Sequence, residues 1–212
     1  MSLTLCTAVE SDAARIADIH MAAFGNNQLL LAQFPSPAVR EALKTTIAEK
    51  TIAEMRDPKW AILVVKNEQS EIISFAKWCR PVEPEENYRE PPWRWPAGAN
   101  FDVLSEWTVK VEAETERVLG KTPCYRLSFL GTDPCHQGKG AASRLVQWGL
   151  EHSRRDLAPV ALESTSNAAG FYERFGFRAE GRISMRLHGV GENEASIMYE
   201  ETCFVFRPDC AT

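Results

Sequence analysis

One stretch constrains this chain more than any other: Leu127 to Ser143, which reads LSFLGTDPCHQGKGAAS. An apolar run of strand character passes into a turn, and the turn opens a helix with an apolar stripe. The turn holds Gln137, Gly138, Lys139, Gly140, Ala141 and Ala142, and small residues let a ligand come close to the backbone. The first amides of a helix have no intrahelical partner, and they lie at the positive end of its dipole. Lys139 adds a positive charge beside them. The stretch therefore reads as a cradle for a pyrophosphate-like anion. Neither the Walker pattern G-x-x-x-x-G-K-[ST] nor the Rossmann pattern G-x-G-x-x-G fits it.

The rest of the chain alternates strands and helices. Residues 3–9 alternate as a first strand, and Ser11 or Asp12 reads as the N-cap of a helix with Ile16, Ile19, His20, Ala23 and Phe24 on one face. Asn26 and Asn27 interrupt that helix. Ser36-Pro37 opens a second one that runs to about Arg56. Trp60–Lys66 and Glu71–Trp78 read as a hairpin around residues 67–70. Residues 80–99 are rich in proline, tryptophan and acids and read as a long loop. Residues 101–119 read as a helix with Val103, Trp107 and Val111 on one side, ended by Gly120 and Pro123. Strands at 124–132, 159–164, 177–183 and 198–206 follow, with helices at 138–154 and 167–175 among them. The last strand comes after a loop holding Gly189 and Gly191. The order points to an α/β or α+β sandwich around one sheet.

At 212 residues, 44% of them hydrophobic and 25% charged, the chain suits one domain over 1–212 with residues 80–99 as an inserted loop. The net charge is −5, and the lack of a basic stripe argues against a nucleic-acid partner. No apolar run has the length of a membrane span. Met1 to Glu10 lacks the basic and apolar order of a signal peptide. Cys6, Cys79, Cys124, Cys135, Cys203 and Cys210 form no C-x-x-C pair, so they read as free thiols of a reducing, cytoplasmic compartment and not as metal ligands.

Gln137-x-x-Gly140-x-Ala142 resembles the Q/R-x-x-G-x-G/A signature of the GNAT (Gcn5-related N-acetyltransferase) superfamily. About 25 residues further on, Leu162 to Phe177 is similar to a second landmark of that family: a strand, then Asn167, a short helix carrying Tyr172, and Gly176-Phe177. The resemblance is strong over residues 124–183 and fades after 185. It implies a mixed, mostly antiparallel sheet of six to seven strands, splayed between its fourth and fifth strands and flanked by helices. It also implies acetyl-CoA as the acyl donor, with no metal.

Carried over by position, the resemblance implies that backbone groups of Leu130, Gly131 and Thr132 pair with the pantetheine arm. Gln137, Gly138, Lys139, Gly140, Ala141, Ala142 and Ser143 would hold the pyrophosphate. Asn167 would contact the pantetheine, with an N-cap role as its other reading. Tyr172 would protonate the leaving thiolate, against a packing role beside Phe171 and Phe175. Glu163 is the leading base, against a sheet-edge hydrogen-bonding group. Glu106, Asp102 and His20 are further candidate bases, the first two against a reading as solvated helix charges and His20 against one as a packing residue; bound water is a further relay, and His136 reads as a turn residue or a phosphate neighbour. Phe24, Trp78, Trp93 and Trp95 are candidate walls for the acceptor, with the 80–99 loop as a lid. The acceptor implied is the primary amine of a small molecule. An amine of a protein or peptide and a non-catalytic CoA-binding regulator remain alternatives, and the assembly is a monomer or homodimer.

Overall fold

The computed structural model describes residues 2–190 and 195–209; Gly191 and Cys210 lie outside the described residues. Among the described residues seven strands form one sheet in the order β1-β2-β3-β4-β5-β7-β6. They are β1 (Thr4–Thr7), β2 (Trp60–Lys66), β3 (Ile72–Cys79), β4 (Tyr125–Thr132), β5 (Val160–Ser164), β6 (Arg178–Leu187) and β7 (Ile197–Phe206). Every pairing is antiparallel except β4 with β5, which is parallel. The helices are α1 (Ala13–Phe24), α2 (Gln28–Gln33), α3 (Pro37–Met55), α4 (Phe101–Leu119), α5 (Ala141–Asp156) and α6 (Ser166–Glu173). A parallel pair needs a crossover connection, and α5 supplies it.

Alternation along the strands divides the core between two faces. Ala61, Leu63, Ala76 and Trp78 turn toward α5, whose Leu145, Val146 and Leu150 join the same cluster, as does Tyr172 of α6. Ile62, Val64 and Phe75 turn the other way and pack on Ile16 and Ile19 of α1. Leu43 and Ile47 of α3 pack against α1 and Phe34. Leu119 of α4 covers Ala161, Cys203 and Val205 on that same face. Thus α1, α3 and α4 lie on one side of the sheet, and α5 and α6 on the other.

Several ends follow from single side chains. Ser36 Oγ accepts from the Val39 amide at 3.2 Å, with Pro37 in the first turn; such a cap contributes about 1 kcal/mol. Asn27 does more than interrupt α1. Its Oδ1 accepts from the amides of Leu29 and Leu30 and so starts α2, a helix the sequence reading did not anticipate. Asp12 does not cap α1 through its side chain; its carboxylate turns back to the Val9 amide. The cradle helix also begins later than expected, at Ala141 and not Gly138. Gly138 and Gly140 hold φ of 74° and 87°, which breaks the helical path before α5.

No helix among the described residues is long and apolar enough to cross a membrane. Cys6, Cys79, Cys124, Cys135 and Cys203 carry free thiols.

Candidate active site

β4 and β5 run together for two register pairs only, Tyr125↔Val160 and Arg126↔Ala161. Beyond Arg126, β4 remains paired to β3 but, among the described residues, has no strand paired on its β5 side. An opening therefore lies along Leu127 to Thr132, lined by backbone groups that need partners. Within it, the register against β3 passes from Lys77↔Phe129 to Trp78↔Leu127, so Ser128 is the extra residue of a bulge. Bulges bend a strand and re-aim its groups. Gly131 is set by packing: a Cβ there would stand 2.6 Å from Cε1 of Phe75.

The open edge leads straight into the glycine turn. A one-turn 3₁₀ helix, Pro134–His136, follows Asp133, whose Oδ2 accepts from the Arg15 guanidinium of α1 at 2.6 Å. That bond holds the Asp133 carboxyl below its ordinary range. Gln137, Gly138, Lys139 and Gly140 are exposed, and Cβ atoms built at Gly138 or Gly140 would meet nothing within 4 Å. The first amide to close a helical bond is that of Arg144, to the Gly140 carbonyl at 3.4 Å. The amides of Ala141, Ala142 and Ser143 precede it and face the same end. Lys139 Nζ donates to the Cys135 carbonyl at 3.0 Å, and Gln137 Nε2 lies 3.5 Å from the Thr132 carbonyl. Free space, left-handed glycines and unpaired amides at a helix start fit a pyrophosphate, and the unpaired strand edge fits an amide-containing arm.

Across the opening stands α6. Thr165 holds its N-cap position, without a side-chain cap bond, and Asn167 is exposed one residue into the helix. Tyr172 is buried against Phe171, Phe177 and Phe204. Burial raises its phenol above the ordinary range, and the charge of Glu201 on β7 raises it further. The proton therefore stays on the oxygen at neutral pH.

The other face of the opening is aromatic. Phe129 of β4 meets His20 at 4.8 Å, Phe24 at 6.3 Å and Trp93 at 6.4 Å between ring centroids. Trp93 stacks on Trp95 at 4.3 Å. Burial, with the charge of Lys77 behind it, lowers His20 to about 3, so its ring is neutral; its Nδ1 has no hydrogen-bond partner among the described residues. Beneath this wall Lys77 pairs with Glu54 at 2.8 Å, and Lys50 lies 3.4 Å from the same carboxylate. All three groups are buried. Trp78 does not belong to the wall. Strand alternation turns it to the opposite face, where it fills the space beside Gly149.

The 80–99 loop is fastened in place. Lys50 donates to the Pro91 carbonyl, Thr46 to the Arg94 carbonyl at 3.1 Å, and the Trp60 indole to the Tyr88 hydroxyl at 2.9 Å. A groove lined by Glu49, Ala53, Arg56 and Arg94 runs between α3 and this loop and includes no cradle residue.

The candidate bases occupy different settings. Glu163 is ion-paired to Arg126 at 2.9 Å, with the Thr115 hydroxyl 3.5 Å from its other oxygen. Asp102 and Glu106 are exposed on α4, and Glu106 lies 3.6 Å from Lys110. His136 Nδ1 lies 3.7 Å from Asp133. Sequence reasoning passed over Glu201. Its carboxyl accepts from the Tyr199 hydroxyl, and burial pushes it up to about 7. A doublet of acids on a strand, Glu200-Glu201, carried no signal of which one faces inward. Among the described residues no group of three His, Cys, Asp or Glu side chains is placed to hold a metal.

Residues 107–179 match the family model described as an acetyltransferase (GNAT) domain. The N-alpha-acetyltransferase RimI of Mycobacterium tuberculosis is 26% identical over 139 residues, covering 60% of this chain and 87% of that protein. A structure from Corynebacterium glutamicum, described as histone acetyltransferase HPA2 and related acetyltransferase, superposes with a TM-score of 0.68 at 22% identity. It covers 100% of this chain and 99% of its own. The polyamine N-acetyltransferase of Drosophila melanogaster, which forms N-acetylagmatine, gives a TM-score of 0.60 at 16% identity over 97% of this chain and 100% of its own. The two structures share this fold.

Proposed function

From the match of residues 107–179 to the GNAT acetyltransferase domain, we propose that the chain is an acetyltransferase of that family and transfers an acetyl group from acetyl-CoA to the primary amine of a small molecule, by direct attack while both are bound. The observation that carries this reading is the parting of β4 from β5 after two register pairs, directly upstream of the glycine turn. Acetyl-CoA supplies an acetyl thioester. Its pantetheine arm would lie along Leu130, Gly131 and Thr132, with Asn167 on the far side. Its pyrophosphate would sit on the amides from Gly138 to Ser143, between Gln137 and Lys139. Amides on the bulged edge of β4 donate to the negative charge that develops on the thioester oxygen. Holding amine and thioester together removes the entropic cost of their encounter. The amine nitrogen forms the new bond to carbon, the carbon–sulfur bond breaks, Tyr172 gives its phenolic proton to sulfur, and the proton that nitrogen sheds as the amide forms restores the phenol.

His20, Phe24, Phe129 and Trp93 support an acceptor with an apolar body. The docked 80–99 loop supports a small molecule over a long peptide, since it walls that side. The match to RimI favours a second reading, in which the amine belongs to a peptide or protein. The same proposal makes residues 1–212 one cytoplasmic domain that works without a metal, as monomer or homodimer.

The test is acetyl-CoA binding by thermal shift, followed by thiol release with 2-phenylethylamine, putrescine, agmatine and a tetrapeptide with a free N-terminus. Turnover of the small amines is expected. Turnover of the peptide alone reverses the choice of acceptor. Tight acetyl-CoA binding with no turnover points to a CoA-binding regulator instead.

A further inference from the structure

The mouth of the opening holds a carboxylate that neither the motif nor the resemblance singles out. Glu201 stands on β7 two residues before Cys203. Cys203 packs under α4 with Ala161 and Val205, so alternation turns Glu201 to the face of α1, α3 and α4. The register sets Thr202 opposite Ser164, the last residue of β5. Glu201 therefore lies where β5 has ended and β7 continues past it. The Tyr199 hydroxyl donates to its Oε1, and the Asn27 amide donates to the Tyr199 oxygen at 2.9 Å. Trp107 of α4 packs edge-on against Tyr199 at 5.3 Å. Tyr199 thus holds one carboxylate oxygen and is itself held in place by Asn27 and by Trp107 of α4. No cation pairs with Glu201 among the described residues. Glu163 differs, because Arg126 and Thr115 engage both of its oxygens.

We propose that Glu201 is the catalytic base of the transfer, taking the proton of the acceptor's ammonium on the α4 side of the opening while Tyr172 serves the thiolate from the α6 side. This rests on the acetyltransferase reading above. One proton passes from the ammonium to the Glu201 carboxylate, and the freed lone pair forms the carbon–nitrogen bond. The carbon–sulfur bond breaks with its electron pair on sulfur, which takes the Tyr172 proton. The second proton lost by nitrogen as the amide forms restores the Tyr172 phenol. The proton on Glu201 leaves to water, so ammonium and thioester yield amide, thiol and one released proton.

The surroundings tune the group for this. Burial pushes Glu201 up to about 7; the Tyr199 bond lowers it, and the charge of Glu163 on β5 raises it. The charge of Glu201 reaches Tyr172 of α6 on the other face of the sheet, and Asn27 at the start of α2 holds the Tyr199 hydroxyl. Its β6 neighbour in the register, Ile183, carries no charge, and Arg126 of β4 is committed to Glu163. A base that titrates near neutral pH is present as carboxylate in useful amount and still holds a proton in passing.

The test uses the full chain and whichever of 2-phenylethylamine, putrescine, agmatine or the tetrapeptide the parent turns over fastest. Glu201→Gln should keep acetyl-CoA binding within about twofold and lose about 10²- to 10⁴-fold in kcat. The acidic limb of the parent's kcat profile, near pH 7, should vanish with it. Tyr199→Phe removes a bond that lowers Glu201, so that limb should move to higher pH while turnover at high pH largely survives. Parent-like kcat in Glu201→Gln overturns the proposal, as does a limb that Tyr199→Phe leaves in place. Loss of acetyl-CoA binding in Glu201→Gln overturns it in favour of a structural role. If the parent binds no acetyl-CoA, or binds it and turns over no probe, the acetyltransferase reading falls and this inference falls with it.

Discussion

Replacing Gly149 with alanine tests how closely the cradle helix is seated. Gly149 lies inside α5 against Trp78, and a Cβ there would stand 2.3 Å from Cη2 and 2.4 Å from Cζ2 of the indole. Trp78 is 0% exposed, locked between β3 and α5, so its ring cannot swing aside. Two effects oppose each other. Alanine inside a helix is favoured over glycine by about 1 kcal/mol. Forcing a methyl into a packed core costs about 1–3 kcal/mol. Gly170, exposed in α6, isolates the first effect, because a Cβ there meets nothing within 4 Å. Gly170→Ala should therefore be more stable than the parent by about 0.5–1 kcal/mol, and Gly149→Ala less stable by roughly 0–2 kcal/mol. For a chain of this size each kcal/mol moves Tm by roughly 2–4 °C. Urea and thermal unfolding of the pair read the difference directly. Acetyl-CoA affinity should fall in Gly149→Ala as well, since α5 carries the cradle amides. If both substitutions raise Tm alike, the close seating of α5 on Trp78 is refuted.

Glu54→Gln leaves the buried Lys77 without its carboxylate, and Lys50 with only the more distant Glu90 at 3.8 Å. Chemical denaturation should show a loss of about 3–5 kcal/mol, partly regained in Glu54→Gln/Lys77→Met. Tyr172→Phe keeps the ring packing, so it should preserve Tm and acetyl-CoA affinity while lowering kcat by about 10²-fold or more; parent-like turnover would remove Tyr172 from the reaction. Glu201 gives a pH signature in stability that needs no acceptor. Its folded pKa is raised from 4.5 to about 7, so the folded state binds more protons than the unfolded one between those values. Stability from this group is then lost as pH rises from about 4.5 to 7. Glu201→Gln should flatten that part of the curve and be the more stable protein at pH 8, and a slope left unchanged in urea titrations across this range would contradict the burial argument.

What could be read in advance was what is local in the chain. The α4 span 101–119 was recovered because Gly120 and Pro123 end it and one apolar face runs through it. The hairpin β2–β3 was legible from two apolar runs around a polar turn. Asn27 misled, because an Asn that breaks one helix is the same residue that caps the next. The start of α5 was misplaced because the left-handed conformation of Gly138 and Gly140 is a property of φ and leaves no mark in composition. The cradle and Tyr172 fall within one continuous stretch of motif. The Glu201 setting joins Asn27, Tyr172, Tyr199 and Glu163, positions far apart in the chain that the β5–β7 register and the packing of helices on the sheet bring together. Which face Trp78 takes was equally a matter of strand register, with Lys77 beside it turned to the other side.

The two-rung join between β4 and β5 makes the sheet, in hydrogen-bond terms, a pair of smaller sheets: one ends at β4, the other begins at β5. Keeping them in one plane falls to α5, which packs across β2, β3, β4 and β5. A ligand that pairs along Leu127 to Thr132 acts as a detachable strand. It adds stability by mass action, about 2.7 kcal/mol at a hundred times its Kd. Two populations of this protein that differ only in donor supply would then differ in melting temperature, in resistance to proteolysis and in lifetime, so that folding itself reports the acyl-donor concentration.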